Sequence, residues 1–126
     1  MDAFVYGTLR EPDRAREVIG HTDFGPDARL VGLRRVEARY PTLAPDGETT
    51  GRVLRLRDGD LDVLDAYEGV DRGLYVRVRV PSDDGDLWTY VGDPSALGAA
   101  VTWPDDGTFE ERVERYVDEH DVRVER

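Results

Sequence analysis

The sequence predicts a single α+β domain spanning residues 1–126, with five or six mostly antiparallel strands and flanking helices, on the strength of three observations. Between Tyr75 and Val80 the residues alternate strictly, with Val76, Val78 and Val80 on one face and Tyr75, Arg77 and Arg79 on the other, the period of a half-buried strand. Ser82-Asp83-Asp84-Gly85-Asp86 then supplies turn residues. Leu87 to Val91 returns with Trp88 and Tyr90 on alternate positions, so the two runs form a hairpin. Further on, Thr108 and Glu111 form a T-x-x-E capping box, and Phe109, Val113, Tyr116 and Val117 line one face of the helix it opens.

The remaining elements follow in chain order. Phe4 to Tyr6 is a short apolar strand, interrupted at once by Gly7-Thr8-Leu9. Glycine there admits conformations closed to other residues and leaves adjacent N–H groups unshielded. Glu11-Pro12 opens a short helix with Ala15, Val18 and Ile19 on one face, and Gly20 ends it. A strand, a glycine turn and a helix start can hold an anion or a carbonyl oxygen on free N–H groups; an ordinary turn leaving a first strand has the same sequence. Ala28 to Ala38 reads as a strand with Gly32 as a bulge, broken by Tyr40-Pro41. Pro45-Asp46-Gly47 reads as a turn, and Gly51 to Arg57 as a strand with an arginine-bearing face. Asp58-Gly59-Asp60 supplies the cap for a helix over Leu61 to Glu68. Asp93 to Trp103 carries too few periodic apolar residues to assign, and Val122 to Val124 adds an edge strand.

Composition narrows the class of function. A chain of 126 residues buries roughly two-thirds of the surface its unfolded form exposes and needs no covalent staple. There is no cysteine, which excludes disulfides, thiolate metal sites and a cysteine nucleophile. Asp and Glu number 28 against 17 basic residues, all arginine, for a net charge of −11. Such a field repels phosphate backbones and argues against nucleic acid as a partner. A high acidic fraction without lysine suits a protein kept soluble in concentrated salt, where like-charge repulsion is screened; biased coding composition leaves the same signature. No apolar run approaches membrane-spanning length, and MDAFVYG lacks the basic start and long apolar stretch of a signal peptide. The expectation is a soluble, cytoplasmic protein with no membrane partner.

The residue of greatest chemical interest lies in the stretch from Leu61 to Arg77. In a helix, Leu61, Leu64 and Glu68 fall at i, i+3 and i+7, so the carboxylate shares the face of two leucines. An ionised carboxylate on that stripe costs several kcal/mol unless hydrogen-bonded, and its pKa rises if nothing bonds it. Glu68 is therefore a candidate acid or base; in the plainer reading it sits in a frayed last turn before Gly69 and points to water.

Other chemistries fall away. Ser82 and Ser95, the only serines, lie in turns and outside any G-x-S-x-G context. His21 and His120 are far apart on expected surface segments, with no H-x-x-x-H pair to hold zinc. Asp58, Asp60 and Asp62 mimic the start of a calcium loop, but Val63 stands where glycine is needed and Gly69 where glutamate is needed. What remains is one carboxylate, a glycine-interrupted loop, and tyrosines Tyr6, Tyr40, Tyr75 and Tyr90 able to line a pocket. That describes a small-molecule enzyme or a binding module.

The segments VYGTLR (Val5 to Arg10), YPTL (Tyr40 to Leu43), GRVLRL (Gly51 to Leu56), LDAYEG (Leu64 to Gly69) and YVRVRV (Tyr75 to Val80) resemble, in order and spacing, the gamma-glutamylcyclotransferase-like proteins. The resemblance covers about Ala3 to Val91. It implies a small, partly closed β-barrel with flanking helices and a pocket at its mouth. It implies a small-molecule gamma-glutamyl substrate held by the backbone of Tyr6, Gly7, Thr8 and Leu9, with Tyr40 and Tyr75 beside it and Glu68 as acid–base residue. No cofactor or metal is implied. For the substrate α-carboxylate the candidates are the same loop or an arginine, Arg10 or Arg77. A binding module of the same fold is the alternative.

Overall fold

Local sequence accounts for most of the elements. The structure, a computed structural model, describes residues 1–126. The first strand, β1 (Ala3–Val5), stops one residue short of Tyr6, and a 3-10 turn over Thr8–Arg10 leads into α1 (Pro12–Ile19). Pro12 takes the first helical position, Gly20 closes the helix in the left-handed conformation, and Ala15 and Ile19 are buried. Two 13-residue strands, β2 (Phe24–Val36) and β3 (Thr42–Leu54), form a long hairpin. After it come α2 (Asp60–Glu68), a 3-10 turn over Val70–Arg72, and the expected hairpin of β4 (Tyr75–Val80) and β5 (Leu87–Gly92). The unassigned stretch supplies one helical turn, α3 (Pro94–Leu97), and the buried Trp103. Helix α4 (Phe109–Glu119) has both halves of its capping box, and β6 (Arg123–Glu125) pairs with β2 at the sheet edge.

Three expectations change. Tyr40-Pro41 joins β2 to β3, but Pro45-Asp46-Gly47 is no chain reversal. Leu33 faces Pro45 and Val31 faces Glu48, so Asp46 and Gly47 together oppose Gly32 and form a bulge inside β3. Their positive φ angles, 78° and 87°, suit a bulge as well as a turn. The helix α2 is capped by Gly59, with no side-chain cap. Asp60 instead accepts hydrogen bonds from the Arg57 N–H and His21 Nε2, each at 2.7 Å. His21 is thus no surface residue: its side chain is 8% exposed, because α1 packs on α2 and brings it to Asp60. His120 does lie at the surface, stacked on Tyr116.

The strands form one mixed sheet in the order β4-β5-β1-β3-β2-β6. Only β1 and β5 run parallel; the other neighbouring pairs are antiparallel. The sheet curls into a half-barrel with four helices, an α+β fold. Alternation along each strand divides its side chains between two apolar clusters. Phe4, Val53, Val78, Val80, Leu87 and Val91 pack with α4 through Val113, Tyr116 and Val117. Ala3, Val5, Leu54, Tyr75 and Tyr90 pack with α1 and α2 through Ala15, Ile19 and Leu64. No helix is long and apolar enough to cross a membrane.

Candidate active site

At the end of β1 the two clusters part around a cleft of about 410 Å³. Phe4 and Tyr6 reach it from one face of the sheet, Val5, Tyr75 and Tyr90 from the other. Gly7, Thr8 and Leu9 border it, as do Tyr67 and Glu68 from α2, Arg14 from α1, Arg72, and Tyr40 from the β2–β3 loop. All seven residues singled out from the sequence as site residues therefore lie around one cavity: Tyr6, Gly7, Thr8, Leu9, Tyr40, Glu68 and Tyr75.

Residues 64, 65 and 68 share one face of α2, and the first two fix where the third goes. Leu64 is fully buried, worth about 2–3 kcal/mol of transfer free energy. Asp65 accepts from Arg77 Nη1 at 2.8 Å and from the Tyr90 hydroxyl at 2.7 Å, tying the helix to β4 and β5. Glu68 follows one turn later. Gly69 then ends the helix with φ of 69°, where a Cβ would meet Leu74 and Arg72 at under 3 Å, so the chain turns sharply away.

Burial raises the Glu68 carboxyl from its ordinary 4.5 to about 7, with no protein hydrogen bond or cation to oppose it. The tyrosines around it are engaged elsewhere. The Tyr6 hydroxyl donates to the Tyr90 carbonyl at 2.6 Å, and that of Tyr75 to the Pro41 carbonyl at 2.5 Å. Burial pushes the Tyr6, Tyr75 and Tyr90 phenols up, and the Glu68 charge adds to each. They are neutral walls rather than proton carriers.

The glycine turn presents donors for a definite reason. The Tyr6 carbonyl accepts from Arg35 Nη1 at 2.7 Å, the Gly7 carbonyl from Arg10 N at 3.1 Å, and the Thr8 carbonyl from Glu11 N at 3.0 Å. In a trans peptide the next N–H points opposite its carbonyl. The N–H groups of Gly7, Thr8 and Leu9 are thereby directed away from those partners and donate to no protein acceptor. Gly7 itself has φ of −109°, outside the left-handed region, and a Cβ on it would meet nothing. It offers unobstructed main chain, not the rare conformation expected from the sequence.

Neither arginine suggested for the substrate carboxylate reaches the cleft. Arg10 turns back through Nε to the Gly7 carbonyl and faces a separate groove with Arg29, Arg52 and Arg126. Arg77 is held by Asp65 and stacks on Trp88, with its guanidinium 4.4 Å from the ring centre. The cations that do line the cleft are Arg14 and Arg72, which sequence reasoning missed, along with Tyr67, whose hydroxyl lies 3.0 Å from Thr8 Oγ1. A helical position two residues after Pro12, or one in a short turn after Gly69, carries no sequence signal of facing a cavity.

Comparison with known proteins places this arrangement. A solved gamma-glutamyl cyclotransferase superposes with a TM-score of 0.63 over 92% of this chain and 97% of its own, at 16% identity, a likeness of fold. An Arabidopsis thaliana protein solved in solution gives 0.59 at 28% identity, over 94% of this chain and 84% of its own. AIG2-like protein C of Arabidopsis thaliana is 36% identical over 110 residues, 77% of this chain. The chain spans 64% of that relative's length. The family model described as gamma-glutamyl cyclotransferase, AIG2-like, matches residues 3–111, a stretch that holds every wall of the cleft, and the chain belongs to that family.

Proposed function

We propose that the protein is a cyclotransferase acting on a gamma-glutamyl compound, releasing 5-oxoproline and the free amine. The observation that carries this reading is one carboxylate, raised to about 7 by burial and without a protein partner, sharing a cleft with three main-chain N–H groups that donate to no protein acceptor. The substrate's α-amine attacks its own γ-carbonyl carbon; a C–N bond closes a five-membered lactam, and the original amide C–N bond breaks. The two protons that the attacking ammonium loses are the two that the departing nitrogen gains. Glu68 takes each from the first nitrogen and gives it to the second, a shuttle that a pKa near neutrality suits. The N–H groups of Gly7 to Leu9 stabilise the oxyanion on the γ-carbon, where loss of one donor typically costs about 2.7–4 kcal/mol. Intramolecular attack needs no protein nucleophile, and a cleft that holds the substrate near its attack geometry supplies several kcal/mol more.

The test is incubation with a panel of gamma-glutamyl peptides and amines, measuring 5-oxoproline. Turnover by the wild type, abolished in Glu68→Gln with the fold intact, is the expected result. Saturable binding without 5-oxoproline, indifferent to Glu68→Gln, would instead identify a non-catalytic binding module.

A further inference from the structure

The reaction proposed above needs two things held at a fixed separation: the Glu68 carboxylate on α2 and the N–H groups of the turn after β1. Apolar packing does not orient α2 by itself. Leu64 is the only apolar side chain of that helix that is fully buried, while Val63 and Tyr67 are 43% and 37% exposed. One buried side chain sets the depth of a helix and leaves its rotation free. A polar clasp supplies the rest. Tyr90 and Arg77 stand opposite one another across β5 and β4. The Tyr90 hydroxyl donates to Asp65 Oδ1 at 2.7 Å and Arg77 Nη1 donates to Asp65 Oδ2 at 2.8 Å, so the sheet holds both oxygens of one carboxylate. Asp65 lies one turn before Glu68 on the same face of the helix.

Tyr90 also reaches the other half of the site. Its carbonyl accepts from the Tyr6 hydroxyl at 2.6 Å, and Tyr6 immediately precedes Gly7. Tyr90 itself is 3% exposed, on the strand that lies between β4 and β1. We infer, on the reading of the reaction given above, that Tyr90 is a positioning residue for both halves of the site: through Asp65 on one side and Tyr6 on the other, it sets the separation between the Glu68 carboxylate and the donor turn. It carries no proton, because its hydroxyl is engaged by Asp65 and burial keeps the phenol neutral. Without the clasp, the end of α2 turns Glu68 towards water and its pKa falls from about 7 towards 4.5. The other titratable and charged groups on the cleft are the phenols of Tyr6, Tyr40, Tyr67 and Tyr75 and the solvent-exposed guanidiniums of Arg14 and Arg72. Tyr90→Phe alters the charge of none of them.

The experiment follows Glu68 in two ways, by the NMR titration of its carboxyl and by release of 5-oxoproline from gamma-glutamyl-alanine, in the wild type, Tyr90→Phe, Asp65→Asn and Asp65→Ala. Tyr90→Phe removes one hydroxyl and keeps the ring and the carbonyl. It should lower kcat about tenfold with KM within about twofold, and move the Glu68 midpoint down by roughly half a unit or more. A merely structural loss would reduce the active fraction and leave the midpoint where it was. Asp65→Asn and Asp65→Ala remove the same charge and leave Arg77 equally unpaired, but only asparagine keeps an oxygen for the Tyr90 hydroxyl. Asp65→Asn should therefore hold kcat and the midpoint closer to wild type than Asp65→Ala. A Glu68 midpoint unmoved in Tyr90→Phe, a rise in KM alone, or an asparagine variant no better than the alanine one overturns the positioning role and leaves the cyclisation standing. No 5-oxoproline from the wild type with any gamma-glutamyl compound of the panel overturns the cyclisation, and the titration still decides whether Tyr90 holds Glu68 in place.

Discussion

Replacing Glu68 by glutamine keeps the side chain's shape and removes its charge, and the consequence for stability can be worked out from its surroundings. Burial holds the carboxyl at about 7 in the folded protein against 4.5 in the open chain. Below the lower value it is neutral in both states and changes nothing. As pH rises towards 7 the unfolded chain gives up its proton first, so stability falls, and above 7 the loss is complete. A displacement of that size corresponds to about 3 kcal/mol. The side chain is partly open to the cleft, so water offsets part of this and about 1–2 kcal/mol is the expected loss. Urea unfolding should therefore find Glu68→Gln level with the wild type at about pH 4 and more stable by that amount at about pH 8. The same variant should release no 5-oxoproline. A glutamine variant no more stable than wild type at the higher pH refutes the burial argument; wild-type turnover refutes the proton shuttle.

Arg35→Gln should lower kcat about tenfold with little change in KM, and Arg35→Lys should restore part of it, because the Tyr6 carbonyl loses the donor that orients the Gly7 N–H; a rise in KM alone would contradict this. Burial raises the Asp60 pKa, but hydrogen bonds from His21 and the Arg57 N–H outweigh it and hold the group below 3.8. The stability Asp60 contributes is thus full above 3.8 and lost as pH falls through its lower folded value. Asp60→Asn should cost about 1–3 kcal/mol near neutrality and little in strong acid, measured by urea midpoints across pH. In Gly51→Ala the new methyl would fall on the Val5 carbonyl and within 2.6 Å of the Phe4 ring, so a loss of about 3 kcal/mol or outright failure to fold is expected by circular dichroism. With a net charge of −11, the melting temperature should climb as KCl is raised from about 0.1 M to about 2 M; full stability in dilute buffer would remove the case for salt adaptation.

The parts legible in the sequence were those set by neighbours a few residues apart. Pro12 and Gly20 bracket α1, Thr108 and Glu111 cap α4, and the alternation from Tyr75 to Val80 survives as β4. Glu68 was found the same way, one turn beyond Leu64. Features set by distant partners were not readable. The bulge at Asp46-Gly47 uses the residues of a turn, and only the register against β2 tells them apart. Nothing near His21 in the sequence signals its burial, because its partner Asp60 is 39 residues away. Arg77 shares the Tyr75 face of β4, but two residues along a strand advance about 7 Å, and it meets Asp65 instead of the cleft. Arg14 and Arg72 come from two separate elements, and only the packing of α1 against α2 brings them to one rim.

The parallel contact between β1 and β5 also governs when the cavity can exist. β1 lies inside the sheet, and its partner on one side, at Trp88, is synthesised long after it. Until that strand emerges from the ribosome, one flank of β1 stays open to pairing with foreign chains, and the Tyr6 hydroxyl waits for an acceptor 84 residues downstream. A nascent chain stalled before Leu87 carries the glycine turn and the glutamate but lacks Tyr90 and the strand that joins β4 to β1.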